Sequence, residues 1–133
     1  MTLSRTALFE HAAIASEQPL ASLAGYQALK DGGNAFDAAA ATAFVLAVTF
    51  HPAGGLGGDF FSMSYESRTG KVHCLNSSGW SPSGLTSGLV QSRGEGGVPL
   101  FGPTSVVVPG FVAGVLELQE KFGRLETKGL LAP

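Results

Sequence analysis

The sequence predicts an α+β fold. Two helical patterns follow one another between residues 19 and 49, two alternating segments flank a turn between residues 59 and 76, and a third helical pattern occupies residues 110–123. The period switches from helical to strand-like and back within one stretch of domain size.

The first helix is marked at both ends. Pro19 suits the first helical position, where a missing N–H costs nothing. Leu20, Leu23, Ala24 and Ala28 recur at helical spacing, Lys30 falls in the last turn, and Gly32-Gly33 supply a left-handed stop. A second helix follows at once. Asn34 is a good N-cap, and Asp37 places an acid in the positive first turn. The run AAAATAFVLAV is apolar on nearly every face and predicts a helix buried on all sides, ended by Pro52.

In DFFSMSYE, Phe61, Met63 and Tyr65 alternate with Ser62, Ser64 and Glu66. SRTG is a turn and KVHCL a second strand, so a β-hairpin is expected, with its first strand in the core. Residues 77–102 are rich in Gly, Ser and Pro and read as loop, with a short helix near Thr86–Ser92. TSVVVP reads as a short apolar strand. GFVAGVLELQEKFGR is an amphipathic helix with Phe111, Val115, Leu118 and Phe122 in one stripe, ended by Gly123. LETKGLLAP looks like the opening of another element. No internal repeat or linker divides residues 1–133, which read as one domain.

Of 133 residues, 44% are apolar and only 14% charged, against about a quarter in an ordinary soluble domain. Much of the chain is therefore interior or faces other protein. The net charge is −2 and the basic residues are scattered, which argues against a nucleic-acid partner. The longest mostly apolar run, Ala35–Phe50, contains Asp37 and is too short for a membrane span. The N-terminus lacks the pattern of a signal peptide, and the single cysteine, Cys74, excludes an internal disulfide. These features favour a cytoplasmic protein with no membrane partner.

HPAGGLGGDFF, residues 51–61, is the sharpest local motif. A phosphate loop runs strand, glycines, helix, so that helix amides point at the anion. Here helix comes first and strand last, no GK[ST] follows, and Asp59 would repel a phosphate. Gly54, Gly55, Gly57 and Gly58 read instead as packing glycines where backbone passes close to backbone.

No catalytic constellation emerges from the residues themselves. His11, His51 and His73 lack ligand spacing with Cys74 or a carboxylate, so no metal site is expected, and no cofactor motif is present. Cys74 alternates with Val72 and reads as core. Asp37 and Asp59 flank the second helix, but Asp37 is better explained as a cap. Thr49-Phe50-His51 sets a hydroxyl near an imidazole at the end of a helix, with no activating geometry evident.

Several motifs in order carry more. GGNAFDAA at 32–39, HPAGGLGGDFF at 51–61, SVVVPGFVAGVLELQEKFGRL at 105–125 and LLAP at 130–133 resemble the N-terminal region of the γ-glutamyltranspeptidase family, with matching order and spacing from about His11. The resemblance implies the αββα sandwich of the N-terminal-nucleophile hydrolases, incomplete in this chain. It implies a precursor that cuts itself and exposes a threonine, which attacks a γ-glutamyl amide of glutathione type with its own amine as base. Water or an acceptor amine then takes the acyl group.

That threonine is expected beyond these residues, and Thr49 aligns with a helix end. The chain is thus expected to be a fragment of a large subunit or a truncated reading frame, with no catalytic residue and no activity alone. Its expected partners are the rest of the large subunit, the small catalytic subunit and a small-molecule amide. The structural positions implied are Gly32, Gly33, Asn34, Asp37, Gly54, Gly55, Gly57, Gly58, Pro109 and Gly110. The family places a carboxylate-binding arginine in the loop after the hairpin, a job suited to a bidentate guanidinium. In LNSSGWSP that position falls on Ser78 or Trp80. The substrate-binding candidates are Asn76, Ser78 and Trp80, with Trp80 either packing on an apolar acyl group or serving as core. Two alternatives follow: a related acylase with a non-glutamyl substrate, and a non-catalytic remnant that folds only against a partner.

Overall fold

The computed structural model describes residues 8–51, 53–93 and 96–132. The order is α1 (Pro19–Lys30), α2 (Ala35–Thr49), β1 (Phe60–Glu66), β2 (Lys71–Ser77), α3 (Ser87–Ser92), α4 (Phe111–Phe122) and α5 (Thr127–Leu130). The chain is mixed α and β, with a two-stranded antiparallel sheet that pairs Phe60 with Ser77 and Glu66 with Lys71.

Pro19 occupies the first turn of α1, and Gly32 adopts the left-handed φ of 92° that stops it. Gly33 is not left-handed. A Cβ there would press on the Ala28 carbonyl and Asp37, so its role is close approach. The buried face of α1 is Ala21, Gly25 and Ala28, whereas Leu20 and Leu23 are exposed. The small residues win because α1 lies very close to α2: a Cβ on Gly25 would meet Thr42 and the Ala38 carbonyl.

Asn34 caps α2 as expected. Its Oδ1 accepts from the amides of Phe36 (2.8 Å) and Asp37 (3.2 Å), while Asp37 Oδ2 accepts from the Asn34 amide (2.8 Å), a reciprocal capping box. The helix is not buried on all sides, since Ala39 and Val48 stand exposed. Among the described residues it is covered chiefly by α1 and α4. The terminator Pro52 lies outside the described residues, as does Pro133 of LLAP.

The hairpin forms as predicted but with its faces reversed. Phe61, Met63, Tyr65, Val72 and Cys74 lie on the exposed face, Met63 at 80% exposure. Cys74 is therefore not core. The half-buried face carries Phe60, Ser62, Ser64, His73, Leu75 and Ser77 and packs on α4. The reason is the occupant: the covering element in this chain is α4, which reaches the hairpin through Gly114, where a Cβ would strike Ser77 and touch Phe60.

The core sits where α2, α4 and β1 meet. Val115, Ala40, Ala47 and Phe111 are buried, with Phe44 and Phe60 each edge-on to Phe111 at 5.8 and 6.1 Å. The stripe of α4 is as predicted, with Gln119 added to its buried side. Residues 104–109 are not a strand. Thr104 and Ser105 belong to a turn, with the Ser105 N–H on the Gly102 carbonyl (3.2 Å), and from residue 106 on the cross-link is Val108 N–H to the Trp80 carbonyl (2.9 Å), so no ladder forms. The short helix after Thr86 is present, and Thr86 caps it through the Leu89 amide.

Candidate functional site

Three sequence motifs far apart in the chain meet at the open end of the hairpin. The loop after α2 arrives at Gly58-Asp59, β2 leaves through Asn76–Trp80, and the extended segment enters α4 at Pro109-Gly110. The Gly58 carbonyl accepts from the amides of Gly110 (3.2 Å) and Phe111 (2.8 Å), satisfying donors at the start of α4. Asp59 Oδ1 accepts from the Gly79 amide (3.0 Å). Ser77 Oγ donates to the Gly110 carbonyl (2.8 Å). Trp80 is tied by its carbonyl to Val108, and Gly79 lies against the Val108 carbonyl.

This knot fixes the backbone and leaves side chains outward. Asn76 sits on the exposed face opposite Phe61, and its Oδ1 accepts from the Ser78 amide (3.0 Å). Ser78 is exposed, and Trp80 stands at 84% exposure, so within this chain it is not core. The loop therefore presents an amide, a hydroxyl and an indole on a tethered backbone. Residues 76–82 include no lysine or arginine, so the loop itself offers no guanidinium fork for a carboxylate.

Three of the four glycines of HPAGGLGGDFF, Gly54, Gly55 and Gly57, depart from the packing expectation. Gly55 and Gly57 have nothing within 4 Å of an added Cβ, and Gly54 has only ordinary contacts. Gly58 is tighter, at 3.2 Å from the Gly55 carbonyl. The close approaches fall on the other side of the knot, at Gly79 and Gly110. The turn around Gly54–Gly57 lies on the surface of this chain, so nothing here demands glycine.

Asp37 forms a second centre. It is fully buried, and its carboxylate gathers donors from two helix ends. Besides Asn34, Oδ2 accepts from the Arg124 amide (2.9 Å), and Oδ1 accepts from Gln119 Nε2 (3.0 Å) and the amides of Arg124 (3.1 Å) and Leu125 (3.2 Å). Asn34 Nδ2 donates to the Phe122 carbonyl (2.7 Å). Burial pushes the Asp37 pKa up, but the hydrogen bonds from Asn34, Gln119, Arg124 and Leu125 outweigh it and hold it below the ordinary value. Asp37 is thus a cap for α2 that also stitches the end of α4. Asp59 belongs to the other centre.

Thr49 donates its hydroxyl to the Val45 carbonyl (2.7 Å), an arrangement of a helix end and not of a nucleophile. A half-buried pair not evident in the sequence joins His73 and Glu66 (3.3 Å) on the inner hairpin face. The Thr69 hydroxyl, with Arg68 and His73, holds the Glu66 pKa below its ordinary value against partial desolvation. The strand register puts these two side chains on one face, a signal available once the turn at SRTG is placed. No group of three or more His, Cys, Asp and Glu side chains is placed to hold a metal among the described residues. Asp59, Ser77 and Gln119 are side chains of the two centres that sequence reasoning missed, since each partner lies many residues away.

A family model described as gamma-glutamyltranspeptidase matches residues 21–133. A glutathione hydrolase-like proenzyme of Bacillus subtilis is 37% identical over 121 residues, covering 90% of this chain and 23% of that protein. The chain thus spans less than a quarter of the length of such curated relatives. Among solved structures, a gamma-glutamyltranspeptidase from Pseudomonas nitroreducens complexed with L-DON superposes with a TM-score of 0.83 at 35% identity, over 95% of this chain and 38% of that one. A cephalosporin acylase from Bacillus halodurans gives 0.79 at 34% identity, over 99% of this chain and 26% of that one.

Proposed function

This chain belongs to the gamma-glutamyltranspeptidase family, and from that membership we propose that it is the N-terminal part of the large subunit of an enzyme that cleaves γ-glutamyl amides of glutathione type. The acyl group passes to water or to an amine. The nucleophile is the N-terminal threonine of a small subunit, outside the residues described here, with its own amine as base. The observation that carries the reading is the knot at the hairpin's open end. Two of the motifs by which the sequence resembles the family, HPAGGLGGDFF and SVVVPGFVAGVLELQEKFGRL, are bonded there to each other and to the loop that leaves β2, through Gly58, Asp59, Ser77, Gly79 and Gly110.

In this reading the chain contributes positioning and not bond making. The knot holds Asn76, Ser78 and Trp80 as part of the substrate wall, with their backbone tethered before substrate arrives. The exposed apolar face of the hairpin supports a second sheet laid against it, completing an αββα sandwich with the remainder of the large subunit and the small subunit.

A hybrid tests this. Residues 8–132 replace the matching segment of the Bacillus subtilis glutathione hydrolase-like proenzyme. The expected result is self-cleavage into two subunits and hydrolysis of a γ-glutamyl anilide. A soluble, folded hybrid that does neither would overturn the proposal.

A second reading, an acylase with a non-glutamyl substrate, is supported by the absence of a cation in residues 76–82 and by the exposed indole of Trp80. The similarity to a cephalosporin acylase accords with it. In the same hybrid, a glutaryl anilide hydrolysed faster than the γ-glutamyl anilide would favour this reading, and the reverse preference would dismiss it.

A further inference from the structure

The buried carboxylate of Asp37 has a feature that a helix cap does not need. Every atom it touches through a hydrogen bond is a donor: the amides of Asn34, Arg124 and Leu125 and the Gln119 side-chain nitrogen. Gln119 extends the grip. Its Nε2 also donates to the Leu125 carbonyl (2.6 Å), and its Oε1 accepts from Thr127 Oγ1 (2.7 Å). The segment leaving α4 is therefore held at Arg124, Leu125 and Thr127 by one carboxylate and one amide.

That segment covers something. Leu125, Leu130 and Leu131 form one wall of an apolar groove of about 530 Å³ whose other walls include Ala24 of α1 and Phe44 and Val48 of α2. We propose that Asp37 is the acid-labile pin of a latch: ionised, it clamps residues 124–127 and keeps the following leucines over the α1–α2 groove, and protonated, it releases them while the hairpin stays formed.

The chemistry follows from donor and acceptor counting. A neutral carboxyl carries an O–H that needs an acceptor, and every group now bonded to it is a donor. Adding the proton removes an acceptor position and forces one N–H to go unpaired in a buried place. No charged side chain substitutes for the lost bonds. Lys30 and Asp31 at the end of α1, Glu120 and Lys121 on α4, and Arg124 and Glu126 beyond it are all exposed, and none of their side chains bonds to Asp37.

The sign is that of a depressed carboxylate. Its folded value lies below the ordinary 3.8, so the stabilisation is complete above that value and is lost as pH falls through the lower, folded one.

Amide hydrogen exchange on the full chain, corrected for intrinsic rates, tests it. On acidification, the Arg124 and Leu125 amides are expected to lose protection at a higher pH than the hairpin amides, and binding of an apolar dye to rise at the same step. At neutral pH, Asp37→Asn is expected to speed exchange at Arg124 and Leu125 at least about tenfold with the hairpin unchanged. Gln119→Leu, which keeps the carboxylate but removes the second clamp, serves if Asp37→Asn does not fold, and moves the opening step to higher pH. Loss of protection at Arg124 and Leu125 only in step with the hairpin at every pH would overturn the proposal. So would wild-type exchange there in a folded Asp37→Asn.

Discussion

Gly110→Ala adds one carbon to the chain, and the structure makes it a severe change. The backbone at Gly110 has φ −107° and ψ −17°, which any residue adopts, so no conformational strain enters. The effect is steric. The new Cβ would fall on the Ser77 carbonyl oxygen, within 2.9 Å of its carbon and 3.2 Å of the Gly79 nitrogen. These are backbone atoms, held by the Asp59–Gly79, Ser77–Gly110 and Trp80–Val108 bonds, so no side chain can swing aside. Relief requires the start of α4 to move, which loosens the bonds from Gly110 and Phe111 to the Gly58 carbonyl. Overpacking costs about 1–3 kcal/mol, and each weakened bond about 1 kcal/mol. The sum is roughly 3–5 kcal/mol, enough to lower the thermal midpoint of a domain this size by about 10 °C or more. The control is Gly57→Ala, where a Cβ meets open space at an ordinary φ. Its cost should stay within about 0.5 kcal/mol. Thermal unfolding of the full chain, followed by circular dichroism, reads both. A Gly110→Ala midpoint within about a degree of the parent, or a larger loss in Gly57→Ala, would refute the assignment of close packing to the knot rather than to the glycine turn.

Asn34→Ala removes the cap on Phe36 and Asp37 and the donor to the Phe122 carbonyl. A loss of about 2–3 kcal/mol is expected from a cap plus one hydrogen bond, read from urea midpoints; a change under about 0.5 kcal/mol would contradict the double role given to Asn34. Met63→Lys places a charge on the open hairpin face. It should leave the stability of the chain itself nearly unchanged, yet abolish self-cleavage in the hybrid enzyme. An active, processed Met63→Lys hybrid would show that no apolar layer covers that face.

The helices were legible because their signals are local. Pro19, Asn34, Asp37, Thr86 and Gly123 mark ends through chemistry within a turn or two, and the structure uses each of them at or next to the predicted boundary. The hairpin was legible from its alternation. What alternation cannot disclose is what covers each face. Phe61, Met63 and Tyr65 share a side because of the strand period, but whether that side meets α4 depends on contacts made elsewhere in the chain. Likewise Leu20 and Leu23 satisfy helical spacing, yet Ala21, Gly25 and Ala28 face α2, because two helices at close range select small side chains over large ones. The candidate loop could be placed from motif order alone. Its anchor, Asp59 to Gly79, and the Asp37–Gln119 bond join residues distant in sequence, with no periodic or spacing signal to expose them.

The inverted hairpin and the low charge content have one physical explanation. A strand with serines toward its helix and Phe61, Met63 and Tyr65 toward water would ordinarily be unstable against flipping its register by one residue, which would bury the aromatic side. The structure resists that flip at the open end of the hairpin, where the inner face is specified by size. Gly114 brings α4 so close to Ser77 and Phe60 that residue 77 must be small, whereas Ser62 and Ser64 line, with His73 and Leu75, a cavity of about 260 Å³ beside α4. The outer face carries the bulk, which suits the larger spacing of about 10 Å between stacked sheets. A chain with 14% charged residues has little polar surface to spare for such a face, and the exposed Leu20, Leu23, Tyr26 and Val48 repeat the pattern on the helices. The αββα arrangement proposed for the assembled enzyme accounts for the hairpin face directly: the residues that look misplaced on the isolated hairpin are those sized for contact with a second sheet.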